Sequence, residues 1–238
     1  MKRLAFSLLS IALFSAVAIK VSAQDSSTQT RQVSGFSSIA SGGPFNVHIK
    51  MDGTESVKVE ADANIINDIE TVVEGSTLQI RFKDRHWNNH YNNIHKAEVY
   101  ISAKELNGLI NSGSGHMEVE GTINTSGEFK AVLSGSGSIN TSVKSGDLHA
   151  VISGSGSIRI NGSTGNADMM ISGSGQIEGK GLKTESTKAV ITGSGNIYVT
   201  AEKSVSAHIT GSGSVMYSGS ASVIDTRTIG SGRVTRAD

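Results

Sequence analysis

The segment His86-Trp87-Asn88-Asn89-His90-Tyr91-Asn92-Asn93-Ile94-His95 gathers three of the chain's 7 histidines, its only tryptophan and four asparagines. Imidazoles at that density can offer nitrogen to Zn²⁺ or Cu²⁺, and exposed rings can meet a sugar face. The spacing His-x3-His-x4-His suits a metal only if the first pair lies on a helix, and the asparagine run opposes one. A plain polar connection, a ligand-contacting loop and a metal site all remain open for this stretch. The first fits the asparagines best, as a loop between the strands expected around Ile80 and Val99. Within it Trp87, His90 and Tyr91 are the candidate ligand contacts. No metal ligand and no cofactor is assigned.

Catalytic chemistry has little else to stand on. The chain has no cysteine, so thiolate nucleophiles, thiolate zinc sites, disulfides and a lipid-modified amino-terminal cysteine are excluded. No G-x-S-x-G elbow, phosphate loop or G-x-G-x-x-G fingerprint occurs despite 28 glycines. Glu118 and Glu178 hold equivalent places in a repeat described below, with Asn140 and Arg159 between them. Three strand spacings put those carboxylates about 14 Å apart, which is no acid–base pair. Basic and acidic residues balance at 21 each, leaving no electrostatic footprint for nucleic acid. Three matches to the glycosylation sequon, beginning at Asn124, Asn140 and Asn161, read as turn composition.

The elements that position these residues announce themselves by repetition. Gly-Ser-Gly begins at Gly113, Gly135, Gly154, Gly173, Gly193, Gly211 and Gly230, at spacings of 22, 19, 19, 20, 18 and 19. Four residues after each first glycine stand Met117, Ile139, Ile158, Ile177, Ile197, Val215 and Val234. Two residues before it, the five inner copies carry Leu133, Ile152, Ile171, Ile191 and Ile209. These offsets alternate as strands do, so each copy is a short strand, a glycine corner and a second strand. A period near 19 is too short for paired helices and suits one coil of a parallel β-helix. The expected fold is all-β: a right-handed parallel β-helix, its hand taken from the crossover rule. Both corner glycines are expected to serve positive φ. The invariant corner serines are expected to stack as a hydroxyl ladder.

The amino-terminal half reads as less regular strands. Phe45, Val47, Ile49 and Met51 alternate, Asp52-Gly53 makes a turn, and Val57 and Val59 resume, which predicts a hairpin. Residues 64–73 offer the one alternative to strand, a short amphipathic helix carrying Ile65, Ile66, Ile69, Val72 and Val73. Tyr100, Tyr198 and Tyr217 are the candidates for outward aromatic positions. Arg227, Arg233, Arg236 and Asp238 replace apolar or small residues of earlier copies, as charges that blunt an open sheet edge.

The first 23 residues have the layout of a secretory signal: Lys2 and Arg3, an apolar run from Leu4 to Ile19, and Val21-Ser22-Ala23 before the expected cut. The run is short for a membrane span, so the mature chain is expected to have none. Losing Lys2, Arg3 and Lys20 leaves it slightly acidic. Residues 24–30 are expected to be a flexible leader, and 31–238 one domain: strands over 31–110, then regular coils over 111–238.

Gly35-Phe36-Ser37-Ser38-Ile39, the Val-Lys-Val-Glu-Ala-Asp stretch at 57–62, Leu78-Gln79-Ile80 and the repeated Ser-Gly-Ser-Gly resemble the auto-transporter adhesin head GIN domain, a domain of unknown function common in exported Bacteroidota proteins. The resemblance spans roughly residues 31–236. It implies a β-helical exported protein with an adhesin-like role and supplies no catalytic residues. Three readings follow. One is a non-catalytic module, at the cell surface, secreted or periplasmic, whose long face binds a glycan or a protein. A second is a structural homo-oligomer of the cell envelope, which needs an apolar outward stripe. The third is a β-helical carbohydrate-active enzyme, which needs clustered acids.

Overall fold

The computed structural model describes residues 26–83 and 94–237; the expected signal segment 1–23 lies outside them. Among the described residues there is no helix, and stacked parallel strands about 19 residues apart form a β-solenoid of about 7 turns. The first nine strands are β1 (Ser26–Arg31), β2 (Ser38–Gly42), β3 (Asn46–Met51), β4 (Ser56–Asp62), β5 (Ile69–Glu74), β6 (Thr77–Phe82), β7 (Ala97–Ala103), β8 (Gly108–Asn111) and β9 (His116–Asn124). Then follow β10 (Glu128–Gly135), β11 (Ser138–Gly154), β12 (Ser157–Gly173), β13 (Gln176–Gly193), β14 (Asn196–Gly211), β15 (Ser214–Ser218), β16 (Ser222–Gly230) and β17 (Arg233–Arg236).

Two sheets face each other across the core. The back sheet runs β5–β6–β2–β8–β10, then the carboxy-terminal halves of β11 to β14, then β16. The front sheet runs β1–β4–β7–β3–β9, then the amino-terminal halves of β11 to β14, then β15 and β17. Each coil passes from back to front through a glycine corner. The inward columns are those of the repeat: Leu133, Ile152, Ile171 and Ile191 are fully buried on the back sheet, as are Ile139, Ile158, Ile177 and Ile197 on the front. Each fully buried side chain of this kind contributes about 1.5–3 kcal/mol.

The corners close by backbone. Ser174 N–H donates to the Gly154 carbonyl at 3.0 Å, and Gln176 N–H to that of Gly156 at 3.1 Å. The two glycines serve different needs, which corrects the expectation that both require positive φ. Gly173 has φ +126°, and a Cβ there would strike the Gly154 carbonyl oxygen. Gly175 does not take a positive φ, but its Cβ would stand 2.6 Å from Ile152 Cγ2 of the preceding coil. The corner serines, such as Ser155 and Ser174, are exposed.

Several amino-terminal expectations need correction. The Asp52-Gly53 turn forms, its carboxylate accepting from Thr54 N–H at 3.0 Å, but β3 and β4 do not pair as a hairpin. β7 lies between them, parallel to β3 and antiparallel to β4, setting Val99 beside both Val47 and Val59. The proposed helix over 64–73 is instead a tight turn followed by β5. Ile65 and Ile66 N–H both donate to the Asp62 carbonyl, and Ile69 then pairs with Phe82. Ser26–Arg31, mostly inside the expected leader, is β1, antiparallel to β4. Antiparallel β1, β4 and β5 thereby cover one end of the parallel stack. At the other end Val223, Thr226, Thr228 and Val234 hold inward register but line an open mouth.

Candidate functional site

Alternation that buries Val47 and Ile49 turns Asn46, His48 and Lys50 outward on β3. Register then sets Lys58 (β4), Tyr100 (β7), His48 (β3) and Glu118 (β9) side by side. The same row continues across the front sheet through Asn140, Arg159, Glu178 and Tyr198. The Tyr100 ring stacks on His48 with centroids 4.9 Å apart and planes 17° from parallel. Lys58 Nζ stands 4.4 Å from the Tyr100 centroid. Because β4 and β3 flank β7 on opposite sides, the two groups cover opposite faces of the ring. Tyr100 therefore offers solvent its edge and hydroxyl, not a stacking platform.

Neighbouring carboxylates fix this row. Glu98 receives His48 Nε2 at 2.7 Å and the Asn46 amide at 2.8 Å. Glu60 lies 2.8 Å from Lys58 and 2.9 Å from Lys96. These ammonium groups, Lys58 foremost, hold the Glu60 carboxyl below its usual range. Above the row lies a groove of about 580 Å³ bounded by His48, Lys50, Lys58, Tyr100, Glu118 and Glu120. A second hollow of about 410 Å³ shares His48 and Glu118 and extends to Asn140 and Arg159. Donors and acceptors of both signs alternate along it.

Trp87, His90 and Tyr91 lie outside the described residues. The described flank of their segment is anchored: His95 N–H donates to Asp62 Oδ2 at 2.8 Å, and Asp62 is only 3% exposed. At the other flank Phe82 packs on Phe45 with ring centroids 4.9 Å apart. Among the described residues no three His, Asp or Glu side chains are grouped as a metal would need.

Glu118 and Glu178 stand three strands apart, as their spacing requires, and Arg159 grips Glu178 with Nε at 2.8 Å. Glu118 and Glu120 are both exposed, the setting of a solvated face. Tyr217 is not an outward ring. It follows Val199 in an inward column and is 9% exposed, whereas Tyr100 and Tyr198 do face outward.

The front groove was not visible in the repeat, since three of its four strands lie outside the Gly-Ser-Gly copies. One signal was available: Gly42-Gly43-Pro44 is a degenerate corner. Gly115 N–H donates to the Gly43 carbonyl at 3.1 Å, as later corners bond to one another. Aligning that corner with Gly113 would have placed His48 beside Glu118.

Stacked coils with an outward groove along one sheet define a β-solenoid. The family profile described as "Putative auto-transporter adhesin, head GIN domain" matches residues 35–221, and the chain belongs to that family. No curated protein matches it. Among solved structures it is similar to a putative adhesin from Bacteroides fragilis, with 22% identity, a TM-score of 0.81, and 90% of this chain and 98% of that chain covered. It is also similar to a putative lipid binding protein from Parabacteroides distasonis, at 22% identity and TM-score 0.71, covering 90% and 97% of the two chains. A putative adhesin from Parabacteroides merdae follows at 21% identity and TM-score 0.70, covering 90% and 96%. At these identities the likeness is one of fold.

Proposed function

We propose that the chain is an exported, non-catalytic binding module of adhesin type that holds a cell-surface glycan or protein against its front sheet. The observation that carries this reading is the groove over His48, Lys58, Tyr100 and Glu118. Its lining is drawn from four strands whose opposite faces are locked in the core, so binding costs little ordering of the site. Interleaved carboxylates, ammonium groups and hydroxyls suit a ligand rich in hydroxyls better than one of a single charge. Trp87, His90 and Tyr91 are proposed as further contacts. Export, with a signal segment over 1–23, accords with the family's adhesin description.

The test is binding of the purified protein to a glycan array and to intact cells, beside a Lys58→Ala/Tyr100→Ala variant and a Trp87→Ala/Tyr91→Ala variant. Saturable binding reduced tenfold or more by the first variant supports the groove. Loss only in the second moves the site to the His/Asn segment. Absence of saturable binding by the parent protein overturns the proposal.

A further inference from the structure

The back sheet carries an outward feature that the front groove does not explain. Three residues before the corner glycine stand Ile110, Val132, Val151, Met170 and Val190, matched in register from β8 to β13. All five point away from the core, and Met170 is 48% exposed. Four strand spacings give an unbroken apolar stripe about 19 Å long. On its corner side run the hydroxyls of Ser134, Ser153, Ser172 and Thr192; on the other side run Lys130, His149, Asp168 and Lys188. The row continues into His208 and Arg227 at one end and into the small Ala40 and then Gln79 at the other, so the large apolar side chains run from Ile110 to Val190. An apolar stripe rimmed by polar rows marks an association surface.

We propose that this stripe binds a second copy of the chain, face to face, about a twofold axis that runs along β11 over Val151. The charge pattern picks the occupant and the axis. Val151 is the middle of the five apolar residues, so the rotation lays Val151 on Val151, Val132 on Met170 and Ile110 on Val190. The same rotation sets Lys130 of each copy against Asp168 of the other, giving two reciprocal ion pairs, and Ser134 against Ser172. Each contact occurs twice, as an isologous interface requires. Moving the axis to Met170 would set Asp168 against Asp168. Moving it midway between Val151 and Met170 would set Lys130 against Lys188. The two His149 side chains meet on the axis, each 3.1 Å from Glu128 of its own copy, which also lies 3.2 Å from Lys130; the two Asp147 side chains fall near it too, but at the second corner, where β11 leaves the back sheet.

The stripe with its two flanking rows measures roughly 19 Å by 14 Å, small beside the ~800 Å² per partner of a standard interface. The association is therefore weak and concentration-dependent. Docking back to back leaves both front sheets outward, so the pair would present two front grooves; the proposal does not depend on what those grooves bind.

Sedimentation velocity on protein expressed from the full chain should show a weight-average coefficient that rises with concentration. Val151→Lys should abolish the rise and leave the circular dichroism unchanged, because Val151 points outward. Asp168→Lys should weaken association at least tenfold, and the swap Lys130→Asp/Asp168→Lys should restore it. Because the chain has no cysteine, single cysteines report the axis cleanly. Facing sheets stand about 10 Å apart, beyond disulfide reach, so a short bismaleimide is the probe. Val151→Cys should cross-link to itself; Ile110→Cys should not, but should cross-link when mixed with Val190→Cys. Parent protein that stays monomeric up to its solubility limit, association indifferent to Val151→Lys, or self-cross-linking of Ile110→Cys each overturns the proposal.

Discussion

Truncating Ile171 to alanine removes three carbons from the middle of the back sheet's inner column. The side chain is fully buried, with Ile152 and Ile191 as its neighbours in register. Its Cγ2 lies 2.6 Å from where a Cβ on Gly195 would stand, so it fills the space above a residue that has no side chain to return. Three methyl or methylene groups at about 0.8 kcal/mol each give ~2.4 kcal/mol of lost transfer energy. A cavity that the flanking coils cannot collapse raises this to about 3–4 kcal/mol. With an m-value near 3 kcal/mol/M in urea, the midpoint followed by far-ultraviolet circular dichroism should fall by about 1 M. Val151→Ala, on the adjoining strand but facing outward, should shift it by less than about a third of that. Because each coil touches only its neighbours, a transition that splits into two steps would show the stack uncoupling at the altered coil. An unchanged midpoint for Ile171→Ala, or equal shifts for both variants, would refute the inward assignment of this column.

Gly173→Ala should cost more than about 2 kcal/mol, through both its φ and the Gly154 carbonyl, while Ser174→Ala stays within about 0.5 kcal/mol; thermal melts compare them. Ile171→Asp should prevent folding by burying an unpaired charge, and a folded protein of normal stability would contradict this. Asp62→Ala removes the acceptor of His95 N–H and should cost about 1–3 kcal/mol, with faster hydrogen exchange at His95. The pH response follows from Asp52 and Glu202, both held below their usual range, by the Thr54 hydroxyl and the Ser220 hydroxyl respectively. Their contribution is present above the ordinary carboxylate range and fades as pH falls through the depressed values, so the melting temperature should drop there. Ser220→Ala should flatten that acid limb, and a melting temperature that rises on acidification would show the sign to be wrong.

The coil stack was legible because its constraints are local and repeated. A Cβ is forbidden at each corner, the residue four after it is apolar in every copy and the residue two before it in the five inner ones, so phase survives in the sequence. The amino-terminal end was less legible because β7 enters between β3 and β4 from some 40 residues away, and alternation does not encode which strand a neighbour will be. For Tyr217 it is the count from the corner, not aromatic character, that fixes the inward side. The column three residues before each corner, holding Val132, Val151 and Met170, lay in the same alignment as the core columns. Its side chains face outward, so the periodicity of the core does not single it out. The front groove needs cross-sheet register among four strands, which no single stretch of sequence contains.

Saturation binding of the purified protein to intact cells, run beside the Lys58→Ala/Tyr100→Ala variant, is the direct test of the front sheet as the binding face. Both altered side chains reach outward, so the variant should keep the parent's circular dichroism and lose no more than about 1–2 kcal/mol of stability, from the Tyr100–His48 and Lys58–Glu60 contacts. The parent protein should give a saturable isotherm, and the variant an affinity at least tenfold weaker. Linear, non-saturating uptake by the parent, or identical isotherms from two equally folded proteins, would contradict the front sheet as the binding face.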